Sequence, residues 1–332
     1  MTESGTGGYL FAYFTTHEES DGEQVRLARS DGDDPLRWHP LNGGTPVLCS
    51  DVGARGVRDP FLLRAAGLPD ETAHFYLIAT DLRMHGQVPS PGWLEVQRHG
   101  SRNIVVWESD DLVSWSPPRL VEVAPPCAGN AWAPEATFDP TAGSYLVYWA
   151  STLYPPGVAR ESVHSYNRML AASTRDFHAF SKPFTWIDRG WSVIDSTVAT
   201  AGNGFYRFSK DERSADSSTP QAKHLTLERS PAAGLSSTEW EFVADGIGAG
   251  SRTGGVAHGE GPIIIWAESQ RLWYLFVDEF GLRRYLPFSS PTLATDTWQL
   301  CDDYNLPPGA SHGSILRISA AEWSGLASLT GP

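Results

Sequence analysis

"ARSDGDDPLRW", residues 28 to 38, decides how this chain is read. A strand-like "AR" runs into Ser-Asp-Gly-Asp-Asp-Pro, side chains that favour turns, and an indole closes the stretch. The pattern returns downstream in "WESDDLVSW" (107–115) and "ASTRDFHAF" (172–180). Weaker copies are "ERSPAA" (228–233), with a Trp at 240, and "PFSSPT" (287–292), with a Trp at 298. A segment near the N-terminus therefore ends like four internal segments, which makes it part of a repeat.

Outward from these endings, each repeat carries an opening strand, an aromatic second strand and a third strand leading into the turn. The units are "RDPFLL…HFYLIATD…NIVVWESDDLVSW" (58–115), "WAPEATF…SYLVYWAS…RMLAASTRDFHAF" (132–180), "VIDSTVAT…GFYRFSKD…HLTLERSP…EW" (193–240) and "GEGPIII…LWYLFVDE…RRYLPFSS…W" (259–298). Each apolar run is of strand length, rich in aromatic or β-branched residues and bounded by Gly, Pro, Asn or Asp. The fifth unit is split: "SHGSILRI" near the C-terminus (312–325) opens it, and residues 8–42 supply the rest. Joining strands from both termini closes a ring and removes the exposed edges of an open β array. The expected fold is all-β: a five-bladed β-propeller in one domain over residues 1–332. Two β-sandwich domains, the competing architecture, would not require both termini to share one repeat.

Composition agrees. The chain is 41% apolar, enough for a substantial core, and its 32 Gly and 24 Pro suit many short strands joined by turns. A formal charge of -14 with no basic run argues against nucleic acid as a partner, since phosphate would be repelled. Three scattered cysteines, Cys49, Cys127 and Cys301, make neither a disulfide framework nor a zinc pattern. No stretch approaches the about 18 apolar residues of a membrane span, and no membrane partner is expected. The N-terminus lacks a basic signal-peptide region. The expected location is cytoplasmic, with secretion after leader removal as the alternative.

In a propeller the first strand of each blade lines the central channel. The five openings bring Asp59, Glu135, Asp195, Glu260 and His312 there, read as equivalent places in successive repeats. Four carboxylates and a histidine around one funnel is not a packing solution, because like charges raise one another's pKa values. Glu260 stands out: in "HGEGPIII" (258–265) it lies between two glycines at the mouth of a buried strand. A buried carboxylate is expensive unless paired.

The motifs "RDPFLL", "NAWAPEATFD", "SVIDSTV", "GEGPIII" and "SHGSIL", in this order, resemble glycoside hydrolase family 43 over nearly the whole chain. "GYLFAYFTT" and "IVVWESDDLVSW" are most similar to its arabinofuranosidase branch. The resemblance implies an inverting exo-glycosidase that releases a terminal pentose, chiefly α-L-arabinofuranose, from plant oligo- or polysaccharides. It implies Asp59 as general base, Glu260 as general acid and Asp195 as the carboxylate tuning the acid. Arg58, Trp132, Glu135, Ser196 and Arg283 are expected at the substrate, Glu135 departing from the aspartate usual in its motif. No cofactor is required. The resemblance implies a structural calcium or sodium ion near the axis, held by His312 through water.

Inversion needs one ionised and one protonated carboxyl, roughly 6.5–9.5 Å apart. A charged Asp195 is expected to raise Glu260, while Arg58 or Arg283 keeps Asp59 ionised. Trp93, Trp132, Trp191 and Tyr206 are candidate sugar platforms. The inserts 83–103 and 151–168 are expected to wall the funnel into a pocket, the basis for exo action. Three alternatives compete with this reading: a β-D-xylosidase on the same scaffold, a retaining fructan hydrolase, and a glycan-binding propeller without catalysis. The second lacks its Asn-Asp-Pro motif here, and the third has no need of three axial carboxylates.

Overall fold

The computed structural model describes residues 6–66, 75–87, 92–202, 204–216, 218–230, 234–249 and 255–329. These form five four-stranded antiparallel sheets, in which sequential strands are hydrogen-bonded neighbours apart from one crossover between the chain ends. The chain enters through β1 (Thr6–Phe14), β2 (Arg26–Asp31) and β3 (Asp34–Pro40). Blade I is β4 (Val57–Arg64), β5 (Phe75–Asp81), β6 (Asn103–Ser109) and β7 (Arg119–Glu122). Blade II is β8 (Trp132–Asp139), β9 (Ser144–Thr152), β10 (Asn167–Thr174) and β11 (Phe184–Ile187). Blade III comprises β12 (Val193–Ala201), β13 (Gly204–Asp211), β14 (Leu225–Ser230) and β15 (Glu241–Ile247). Blade IV comprises β16 (Glu260–Ala267), β17 (Leu272–Glu279), β18 (Arg284–Ser290) and β19 (Gln299–Leu300). Finally β20 (Ser311–Ser319) pairs with β1, with Leu10 opposite Leu316, and completes blade V. The ring is closed by both termini, as the shared ending required.

The core is a set of five seams, one between each pair of adjacent blades. Leu77 packs into the seam of blades V and I, whereas its neighbours Tyr76 and Ile78 pack into the seam of I and II. Successive strand residues face opposite sides, so a mid-sheet strand must be apolar on both faces. All seven residues of β5 are buried accordingly.

The repeated ending is a turn with a defined mechanism. Asp111 Oδ1 accepts from the Val113 and Ser114 amides, and Asp176 Oδ1 does the same for His178 and Ala179. Trp38, Trp115, Trp240 and Trp298 each donate from Nε1 to the carbonyl three residues back. This turn precedes the outermost strand, so each internal blade runs beyond the unit boundary expected from sequence. Blade I reaches Glu122 rather than 115, and blade II reaches Ile187 rather than 180. The outermost strands of these two blades, "RLVE" and "FTWI", have four residues each, too few to show a periodicity. Residues 231–233 of the third ending lie outside the described residues.

Candidate active site

Every innermost strand is interrupted near its start. Register shifts fall between Arg58 and Phe61, Trp132 and Glu135, Ile194 and Thr197, and Glu260 and Ile263. One residue of each bulge takes a left-handed backbone: Asp59 (φ 52°), Ala133 (47°), Asp195 (50°) and Gly261 (51°). For a non-glycine residue that conformation is strained by about 1–3 kcal/mol and recurs where a side chain must be re-aimed. At Gly261 a side chain is excluded outright, since a Cβ there would lie 2.7 Å from His312 Cγ.

The bulges correct the expected equivalence. Only Asp59, Asp195 and, by strand register, His312 occupy the bulged position itself. Glu260 stands one residue before its bulge, and Glu135 stands two after it. A strand reverses its side chains at every step, so this offset decides what each carboxyl meets.

Asp59, Asp195, Glu260 and His312 line one cavity of about 560 Å³ at the channel mouth. His312 Nδ1 lies 3.4 Å from Asp59 Oδ1 and 3.8 Å from Asp195 Oδ1. Thr80 Oγ1 donates to Asp59 Oδ2 at 2.7 Å and accepts from the Ala133 amide at 2.8 Å, which ties Asp59 to blade II. Asp195 Oδ2 accepts from the Gly261 amide at 3.2 Å, which ties it to the residue after Glu260. Asp278 Oδ2 accepts from Ser311 Oγ (2.6 Å) and the His312 amide (3.1 Å), holding the start of β20.

The electrostatics reverse the expected direction of the shift at Glu260. Burial pushes Glu260 up, but the charge and hydrogen bond of Lys210 outweigh it and hold the carboxyl below its ordinary value. Asp195 is the raised member, at about 7, through burial first and then the charge of Glu260, with His312 opposing. Burial also lowers His312, yet Asp195, Asp59, Glu135 and Glu260 together raise it overall.

Several expected residues stand elsewhere. Glu135 does not line the cavity. It is 4% exposed beneath it, accepts from Tyr148 Oη at 3.3 Å, and is raised to about 8 by burial. Ser196, one residue past its bulge, turns away to share a hydrogen bond with Ser209 Oγ at 2.7 Å. Arg283 donates to Glu279 and to the Gly255 carbonyl, so it pairs with neither Asp59 nor any side chain lining the cavity. Trp191 lies under the Arg213 guanidinium, and Tyr206 packs on the seam of blades III and IV. Arg58 and Trp132 do line the cavity. Arg58 is neutralised by Glu23, 3.1 Å away, and stacks on Phe14 and Trp93.

Lys210, Glu212, Lys223 and Asn167 are cavity residues that sequence reading did not single out. "FYRFSKDE" carries a signal for two of them, a Lys and a Glu at the charged end of an aromatic-rich strand. Among the described residues no group of three or more His, Cys, Asp or Glu is arranged to hold a metal ion. His312 turns its Nδ1 onto two carboxylates instead.

Both inserts border the cavity. Helix α1 (Gly92–His99) carries Trp93 and Gln97 into its wall, and residues 151–168 contribute Asn167, the first residue of β10. The inserts brace each other: Arg160 Nη1 donates to the Arg98 carbonyl at 2.7 Å, and Thr152 Oγ1 donates to the Gln97 carbonyl at 2.8 Å. Residues 88–91 of the first insert lie outside the described residues.

Comparison with known proteins was consistent with this picture. An alpha-L-arabinofuranosidase of Bifidobacterium longum subsp. longum is 34% identical over 246 residues, 70% of this chain, and this match spans 22% of that protein's length. In fold, the chain is similar to a family 43 beta 1,3 galactosidase bound to galactodeoxynojirimycin, with a TM-score of 0.56 at 12% identity, covering 90% of this chain and 92% of that one. It is also similar to an alpha-L-arabinofuranosidase from Fusarium graminearum, with a TM-score of 0.52 at 12% identity, covering 93% of this chain and 89% of that one. The family 43-related model described as "Probable glycosyl hydrolase domain" matches residues 5–324, every blade of the ring, and the chain belongs to that family.

Proposed function

We propose that this propeller is the catalytic unit of an inverting exo-glycosidase that releases terminal α-L-arabinofuranose from arabinose-containing glycans. One observation carries the reading: Asp59, Asp195 and Glu260, from three different blades, border one cavity around His312. The sugar preference is supported by the identity to the Bifidobacterium enzyme. The exo mode is supported by the two braced inserts, which wall the cavity on one side.

In this mechanism Asp59, oriented by Thr80, accepts a proton from water as that water attacks the anomeric carbon. Glu260, across the cavity, protonates the departing oxygen. Asp195 feels the charge of Glu260 and accepts from the amide of the next residue, Gly261, so in this mechanism one proton passes between the two carboxyls. In the free enzyme it rests on Asp195, the raised group. As Glu260 takes it up, Asp195 becomes a carboxylate facing His312 and is stabilised there. Asp195 thus supplies Glu260 with its proton, which replaces the expected role of a permanent charge beside it.

The test uses the purified chain with 4-nitrophenyl α-L-arabinofuranoside, β-D-xylopyranoside and β-D-galactopyranoside, and follows the first-formed anomer by NMR. Arabinofuranoside hydrolysis with inversion is expected. Asp59→Asn should remove about 10²–10⁴-fold of the rate, the usual contribution of a positioned base. Preference for another sugar would overturn the substrate, retention would overturn the mechanism, and an active Asp59→Asn would overturn the base.

A further inference from the structure

Lys210 stands between two glutamates. Its Nζ donates to Glu260 Oε2 and lies 2.7 Å from Glu212 Oε2. The second contact is an ion pair without hydrogen-bond alignment, so Glu212 Oε2 is a buried oxygen that accepts no hydrogen bond. Glu212 is fixed from two other directions. Its Oε1 accepts from Lys223 Nζ at 2.5 Å, and its amide donates to the Ser192 carbonyl at 3.0 Å. All four side chains line the cavity, and Lys210 is only 6% exposed, so the two glutamates are its principal partners.

This arrangement poses a problem for Glu260 as an acid. A carboxylate capped by an ammonium is held ionised, and the capped oxygen cannot carry a proton. The other charged groups around Glu260 are Asp195 on β12, Asp278 on β17, Arg58 on β4 and His312 on β20. None of them removes the cap. The nearest unfilled acceptor for the ammonium is Glu212 Oε2.

We propose that Lys210 is a positioning residue with two seats: its hydrogen bond rests on Glu260 in the empty cavity and passes to Glu212 when a glycoside binds, uncapping Glu260. The inference rests on reading Glu260 as the general acid. Lys210 remains an ammonium throughout. One proton passes from Asp195 to Glu260 as the cap leaves, and then from Glu260 to the glycosidic oxygen as its bond to the anomeric carbon breaks. The attacking water bonds to that carbon and gives its proton to Asp59. After product release Asp59 returns that proton to solvent and Asp195 regains one. The acid is thus armed only when substrate is present.

The experiment compares methyl and 4-nitrophenyl α-L-arabinofuranosides across pH. Glu212→Gln weakens the second seat and keeps its shape. It should lower kcat for the methyl glycoside roughly tenfold, leave the nitrophenyl glycoside much less affected, and shift the alkaline limb of kcat to lower pH. Glu212→Asp, which keeps the charge, should restore part of the methyl rate. Lys210→Met should move the alkaline limb of kcat/KM to higher pH, and adding Glu212→Gln to it should change little, because Glu212 acts through Lys210. Equal losses on both substrates with unmoved limbs, or additive effects in the double variant, would overturn the two-seat role. Glu260→Gln separates the two failures: if it spares the methyl glycoside, the acid assignment itself has failed.

Discussion

Glu135 and Glu260 are the same residue type on two channel strands, β8 and β16, separated by β12, yet their carboxyls are driven in opposite directions. Glu135, two residues past its bulge, points beneath the cavity, where a phenol is its neighbour, and burial raises it to about 8. Glu260, one residue before its bulge, meets Lys210 and is held below its ordinary value. Burial alone makes a carboxyl neutral. A buried lysine reverses this, and three positions along a pleated strand decide which environment a side chain enters.

The contrast breaks most directly in rate measurements. Glu260→Gln should reduce kcat on poor leaving groups by about 10²–10⁴-fold, whereas Glu135→Gln should leave kcat near wild type. Comparable losses in the two variants would remove the distinction between cavity and floor.

Stability against pH sharpens the same comparison. Because Glu135 titrates at about 8 when folded and at 4.5 ordinarily, the folded state keeps a proton that the unfolded chain releases between those values. Wild-type stability should therefore fall as pH rises from about 4.5 to about 8, by at most a few kcal/mol. Melting curves of Glu135→Gln should be flatter over that window. Parallel curves would show that burial does not neutralise Glu135. Glu260 has the opposite sign: its lowered value contributes stability above the ordinary carboxylate range, which is lost as pH falls through the folded value.

The smallest effect concerns the cavity face alone. Trp93 packs edge-on to Trp132 at 6.4 Å and stacks on Arg58. Trp93→Ala should raise KM by about fivefold, the weight of one aromatic contact of about 1 kcal/mol, and leave the pH step assigned to Glu135 in place. A lost step would show that the two layers of the channel are not independent.

The fold was legible because its signals are local. Strand-length apolar runs marked three strands of each blade, and the Asp-and-Trp turn tied residues 28–38 to the internal repeats. The outermost strands were not legible, since "RLVE" and "FTWI", at four residues each, are too short to show a pattern. At the site, Asp59, Asp195, Glu260 and His312 could be found from the strand openings. Their offsets could not, because a bulge changes pairing without changing composition. Ser196 and Glu135 were misplaced for that reason. Lys210 escaped notice because its importance lies in a contact between blades III and IV, fifty residues apart in sequence.

Strand β20 has a double duty: its pairing with β1 seals the ring, and its second residue is His312. During synthesis the nascent chain can assemble blade after blade, yet the imidazole between Asp59 and Asp195 arrives only with the final seam. Ring closure and completion of the cavity are thereby coupled in time, and a polypeptide released before Ser311 would lack both the closing strand and the imidazole between the two carboxylates.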